Sequence, residues 1–103
     1  MAYNLIITDH ADELLDNILY YLIYRLKNEQ AAIHLLNEIN NIYDRLVKNP
    51  LQFPFSRDIY LANKGYHEAF IRQMNYTIVF NVTMNNVNIV GIFHQLEDYQ
   101  NKL

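Results

Sequence analysis

The six residues LKNEQA, 26–31, limit what this chain can fold into more than any other feature. On either side of them lies a stretch of helical apolar spacing. Before the break the apolar positions are Ala11, Leu15, Ile18, Leu22 and Leu26. After it they are Ala32, Leu35, Leu36, Ile39, Ile42, Tyr43 and Leu46. Residues three and four apart share one face of a helix, so each stretch presents an apolar stripe. A link this short folds the second helix back on the first as an antiparallel hairpin. Thr8 or Asp9 can cap the first helix, because a short side-chain oxygen accepts from a free N–H of the first turn. Asp9, Asp12, Glu13 and Asp16 suit its positive end. The second helix stops before Asn49-Pro50, since proline disfavours helix in the residue ahead of it.

The hairpin is flanked by extended segments. AYNLIIT, before it, is a short β-rich run. LQFPFSR, after it, carries Pro54 and reads as a loop. DIYLA reads as an opening strand of a meander ended by NKG, and YHEAFIR follows. YTIVFNVT alternates Tyr76, Ile78, Phe80 and Val82 against Thr77, Val79, Asn81 and Thr83. MNN is a tight turn, VNIVGIFH is the last strand, and QLEDYQNKL reads as a terminal helical turn. The order β-α-α-β-β-β describes an α+β fold, a helical hairpin packed on one face of a small, mostly antiparallel sheet. The expected core joins Leu15, Ile18, Leu22, Leu36 and Ile39 to Phe80 and Ile89.

With 103 residues, 51% of them hydrophobic, the chain suits one domain spanning 1–103. There is no cysteine, hence no disulfide and no thiolate metal site. The N-terminus has no basic region before an apolar run, and ILYYLIYRL is too short to span a bilayer. The expectation is a soluble, cytoplasmic protein with no membrane role, no cofactor and no metal. The net charge of −3 is uneven: residues 1–46 carry −4 and residues 47–103 carry +1. Nucleic acid is gripped by neutralising phosphates with Lys and Arg, so direct sequence-specific nucleic-acid binding is not expected. A local patch of Arg57, Lys64 and Arg72 is the exception to follow.

Several segments in order are similar to the RelE/ParE superfamily of type II toxins. They are YNLIITDHADELLDNI, AAIHLLNEINNIYDRLVKNP, GYHEAFIRQMNYTIVFNV and VNIVGIFHQLEDY. The resemblance runs nearly end to end. It implies a growth-inhibiting, plasmid-stabilisation type of toxin silenced by a cognate antitoxin. The RelE branch resembles a ribosome-dependent mRNA endonuclease that uses lysine, arginine and an aromatic residue or histidine. The ParE branch looks like a non-enzymatic inhibitor of DNA gyrase.

This chain departs from the nuclease pattern. Where the family often writes GYR, it has Asn75-Tyr76-Thr77. The basic positions of the preceding strand fall near His67, Glu68 and Phe70. After the last strand, Gln95 and Leu96 stand where arginine is common. Arg72, His94, Tyr99 and His67 remain as catalytic candidates. A cleavage site stabilises a developing phosphorane mostly with fixed positive groups, and these are few. The reading is therefore a ParE-like binder with DNA gyrase as leading target. The alternatives are a RelE-like endonuclease acting on the ribosome with an atypical site, or a toxin fold that only binds antitoxin.

His94 is the sharpest single residue. An imidazole titrates near neutrality and can act as acid or base. Here it is read as the end of a strand, sharing a face with Asn88, Val90 and Ile92, because no second basic partner accompanies it. His10 and His34 read as structural or solvated. Asp12 with Asp16 suits a helix start, and Glu97 with Asp98 a terminal turn, rather than a metal. Leu19, Tyr20, Ile23 and Tyr24 crowd faces of the first helix that one sheet and one partner helix do not obviously cover. Such a patch marks a binding surface unless the LQFPFSR loop folds over it. By resemblance these four residues are the candidate antitoxin contact.

Overall fold

The computed structural model describes residues 2–71 and 73–94. The elements are β1 (Asn4–Ile7), α1 (Asp9–Tyr20), a π-helical turn (Tyr21–Arg25), α2 (Glu29–Lys48), a 3₁₀ turn (Pro50–Gln52), α3 (Ile59–Asn63), β2 (His67–Ile71), β3 (Tyr76–Thr83) and β4 (Asn86–His94). The strands lie in the order β1-β4-β3-β2. β1 runs parallel to β4, and the other pairs are antiparallel. The α+β architecture and the hairpin-on-sheet packing expected from the sequence are both present.

Thr8 is the cap of α1. Its hydroxyl accepts from the Ala11 amide at 3.2 Å and donates to the Ile89 carbonyl at 2.9 Å, tying the helix start to the central strand β4. At its far end α1 widens into the π turn, where the Leu26 amide donates to Tyr21 O at 3.0 Å. Lys27 then adopts a left-handed φ of 52°. Asn28 caps α2 by accepting from the Ala31 amide at 3.0 Å. Leu26–Asn28 thus suffices to reverse the chain.

The core joins the inner stripe of the hairpin to one face of the sheet. Leu22, Ala32, Leu35, Ile39, Ile42 and Leu46 meet Ala69, Ile71, Ile78, Phe80, Val87, Ile89 and Ile92. The expected core is corrected at one position. Leu35 is fully buried, whereas Leu36 is 37% exposed. At 100° per residue only one of two neighbours can point inward, and Leu35 stays in phase with Ile39, Ile42 and Leu46.

DIYLA is also corrected: it is the helix α3, not a strand. Its residues favour β structure by propensity, but the flanks decide otherwise. The Asp58 carboxylate accepts from the Leu61 amide at 3.1 Å. Gly65, at φ 89°, ends the turn in the left-handed conformation that glycine adopts without strain. Only Leu61 of the five is buried, beneath the far face of the sheet with Val79 and Phe93.

The third correction is a bulge. Val79 pairs with Gly91, yet the next residue, Phe80, pairs with Ile89, leaving Val90 as an extra residue in β4. One extra residue inverts the side-chain alternation beyond it. Ile92 and His94 therefore share the helix-side face with Val87 and Ile89. They do not share a face with Asn88 and Val90, as strict alternation predicts.

Candidate functional site

Of the catalytic candidates, His67 and His94 lie among the described residues, each in a setting of its own. Arg72 and Tyr99 lie outside the described residues, as do Glu97 and Asp98. His67 is buried and packed. Its ring stacks on Phe55 at 4.2 Å and on Phe80 at 5.3 Å, and its Nδ1 lies 3.2 Å from the Phe53 carbonyl, as an N–H donor would. It fastens the segment after α2 to the edge of β2.

Glu68 points to the opposite face of the sheet and is fully buried. One carboxylate oxygen accepts from Arg57 Nε at 2.9 Å and from the Arg57 amide at 3.1 Å. The Arg57 side chain is 61% exposed and lies 4.3 Å above the Phe70 ring. Thr77, Val79 and Phe93 line the same face at zero exposure. Where the nuclease pattern places cations, this face holds a buried carboxylate among apolar groups. Lys64 stands over the Tyr60 ring at 4.3 Å, and the hydrogen bond its ammonium donates to Tyr60 raises its pKa.

His94 ends β4 opposite Tyr76, with the two rings edge-on at 5.5 Å. Both line an open cavity of about 340 Å³ with Leu14, Asn17, Ile18, Tyr21 and Ile92. His34 bonds Gln73 at 3.0 Å beside a second hollow of about 380 Å³ that reaches Arg45. His10 is exposed in the first turn of α1.

The apolar patch on α1 divides. Leu19 and Ile23 are half-buried against the core. Tyr20 and Tyr24, 60% and 64% exposed, stand outward with ring centroids 4.9 Å apart. Tyr21 and Leu26 are exposed nearby. The 53–56 loop does not cover them, since Phe53 is buried against Phe80 and Phe55 stacks on His67. Sequence reasoning missed Leu26 and Tyr21 as exposed neighbours. The π turn, which carries no residue signature of its own, sets their direction.

A hairpin of two capped helices on a β1-β4-β3-β2 sheet agrees with a match in sequence. A family model of the ParE toxin of type II toxin–antitoxin systems, parDE, matches residues 5–99. The chain belongs to this family. Among solved structures, the chromosomal ParDE toxin–antitoxin system of P. aeruginosa aligns with a TM-score of 0.71 at 18% identity, covering 90% of this chain and 96% of that one. The RelBE2 toxin–antitoxin complex of Mycobacterium tuberculosis aligns with a TM-score of 0.60, also at 18% identity, covering 94% and 95%. At such identity these likenesses concern the fold. No curated protein matches the sequence. In this ParE-family chain, no helix among the described residues is long and apolar enough to cross a membrane.

Proposed function

We propose that this type II toxin acts by binding a cellular target in the cytoplasm, with DNA gyrase the leading candidate, and that its antitoxin seats on the outward face of α1 around Tyr20 and Tyr24. One observation carries the binding mode. The sheet face on which the nuclease pattern calls for cations is packed with Thr77, Val79, Phe93 and the buried Glu68. Among the described residues, the cation that reaches it is Arg57, which is paired with that carboxylate. A phosphorane needs preorganised positive groups, and a buried carboxylate would oppose its charge.

The tyrosine pair supports the antitoxin contact. Exposed aromatic residues at the centre of a patch carry a large share of binding energy, and truncation costs roughly 2 kcal/mol or more. Tyr20→Ala and Tyr24→Ala are expected to weaken binding of the neighbouring gene product about 30-fold or more. Calorimetric titration measures this, and unchanged affinity in both variants removes the assignment.

The target is tested by induced expression, followed by assays for DNA breaks and for mRNA cleavage, with purified gyrase in a supercoiling assay. Inhibited supercoiling without codon-linked cleavage supports the proposal. Cleavage on ribosomes supports the endonuclease reading, which the Tyr76–His94 pair beside an open cavity favours. A chain that binds antitoxin yet leaves growth untouched is a fold without a poison.

A further inference from the structure

The two edges of the sheet are built differently. β2 is guarded at its outer edge. Phe55 bridges to His67, the Glu68 amide donates to Pro54 O at 3.1 Å, and the Ser56 amide donates to Tyr66 O at 2.9 Å. The edge formed by β1 has no such cover among the described residues. The Asn4 amide donates to Asn85 O at 2.7 Å and the Thr8 amide to Ile89 O at 3.1 Å. Even-numbered residues of β1 therefore turn their backbone groups toward β4, and Leu5 and Ile7 turn theirs outward. Below them, the Tyr3 amide is taken by Val47 O at 2.8 Å. The open stretch is thus Leu5 to Ile7.

Proteins usually protect such an edge with a charge, a proline, a bulge or a covering segment. Asn4-Leu5-Ile6-Ile7 has no charge, no proline and no bulge. Ile6 is instead 43% exposed, on the face away from the helices. The neighbours on that face are neutral. Asn4 donates to Asn86 at 3.3 Å, and Asn88 donates to Asn81 and to Thr83 at 2.9 Å each. These amides bond one another, and among the described residues on that face no like charge opposes the approach of an identical surface.

We infer that β1 pairs antiparallel with β1 of a second copy of this chain, across a two-fold axis at Ile6, making one continuous eight-stranded sheet. The phase of the backbone supports this register. With the axis at Ile6, Leu5 faces Ile7 of the second copy, and both residues have their amides and carbonyls outward. Each such pair exchanges two hydrogen bonds. Ile6 then meets its own copy in a non-hydrogen-bonded pair, the kind in which facing side chains approach most closely. The two exposed isoleucines cover one another. A two-fold interface needs a self-complementary surface, and a neutral strand centred on isoleucine meets that need. The inference does not depend on which target the toxin poisons.

Sedimentation and hydrogen exchange, each followed from micromolar to millimolar protein, test it. The expected result is a concentration-dependent doubling of the 12.3 kDa mass. The amides of Leu5 and Ile7 should slow as the dimer forms, while that of Ile6 is protected throughout. Ile6→Lys places a charge on the axis and should abolish the doubling. Ile6→Thr keeps β propensity and should weaken it, so loss is separable from misfolding, and unfolding midpoints confirm both folds. A monomer at every concentration overturns the inference. So does a dimer unaffected by Ile6→Lys, or protection of Leu5 and Ile7 that arises only on adding the antitoxin, which would make this edge a seat for the antitoxin's strand.

Discussion

The two faces of the sheet are covered by different kinds of structure. One face meets a hairpin whose apolar side chains recur with the helical period. Leu35, Ile39, Ile42 and Leu46 all bury against Ile78, Phe80 and Ile89. The other face meets a strap, residues 56–66, held by single contacts: Glu68 with Arg57, and Leu61 with Phe93. The first kind of cover spreads its stability over many similar burials. The second concentrates it in a few unlike interactions. The hairpin face should therefore respond to lost volume, and the strap face to lost charge and hydrogen bonding.

The largest effect is expected from volume. Leu35→Ala should lower stability by about 2–5 kcal/mol, because it removes buried methyl groups and leaves a cavity. Leu36→Ala, one residue along but turned outward, should cost under about 1 kcal/mol. Urea midpoints of the two variants compare them directly. Equal losses would mean that the inner stripe does not carry the hairpin.

That contrast also explains what was legible in the sequence. The helical stripes, the short link and the alternation in β3 are periodic signals, and they gave the fold. Leu36 was misplaced because two adjacent leucines fit the stripe equally well until the phase of Ile39 and Ile42 is imposed. DIYLA was misread because Asp58 and Gly65, outside the apolar run, outweigh its propensity. The Val90 bulge has no periodic signature, and it moved His94 to the other face. Glu68 reads as an ordinary alternating polar residue, and only the fold shows that its strand is covered on that side. The tyrosines of α1 and the π turn could be found as an excess of apolar residues, but not sorted into Tyr20 and Tyr24 outward and Leu19 and Ile23 inward.

On the strap face, Arg57→Ala should cost about 1–3 kcal/mol. Breaking a buried pair leaves an uncompensated charge, and the exposure of Arg57 brings the loss below that of a fully buried pair. Glu68→Gln should cost less, since the guanidinium it releases can hydrate. A larger loss for Glu68→Gln would show that the carboxylate acts through contacts other than Arg57. Denaturation of both variants at neutral pH decides between the two.

The hairpin also has an ionisable group. The Tyr43 phenol is pushed up to about 12, first by burial and then by the charge of Asp12. Its ordinary value is 10.0, so the folded state holds this proton when the unfolded chain has lost it. The associated stability is complete below about pH 10 and is lost as pH rises toward about 12. Allowing for its partial exposure, the loss amounts to roughly 1–2 kcal/mol. Tyr43→Phe should flatten that alkaline limb, as read by unfolding midpoints between pH 9 and 12. An unchanged slope would place the phenol in water.

The smallest effect tests the residue that the bulge redirects. If His94 supports the end of β4 through its packing against Tyr76, His94→Gln should cost only about 0.5–1.5 kcal/mol, the scale of one hydrogen bond or ring contact. A general base supplies about 10²–10⁴-fold in rate, so the same substitution in a nuclease would remove toxicity while the protein stays folded. The two roles therefore separate in one variant, with abundance and unfolding midpoint measured beside growth inhibition and primer extension on cellular mRNA. Full toxicity without codon-linked cleavage agrees with a strand-end histidine on the helix side of the sheet. A stable His94→Gln that is harmless, against a parent that cuts mRNA on ribosomes, would make the Tyr76–His94 cavity the working site. It would then be the helix-side face, turned toward that cavity by the extra residue at Val90, that carries the chemistry.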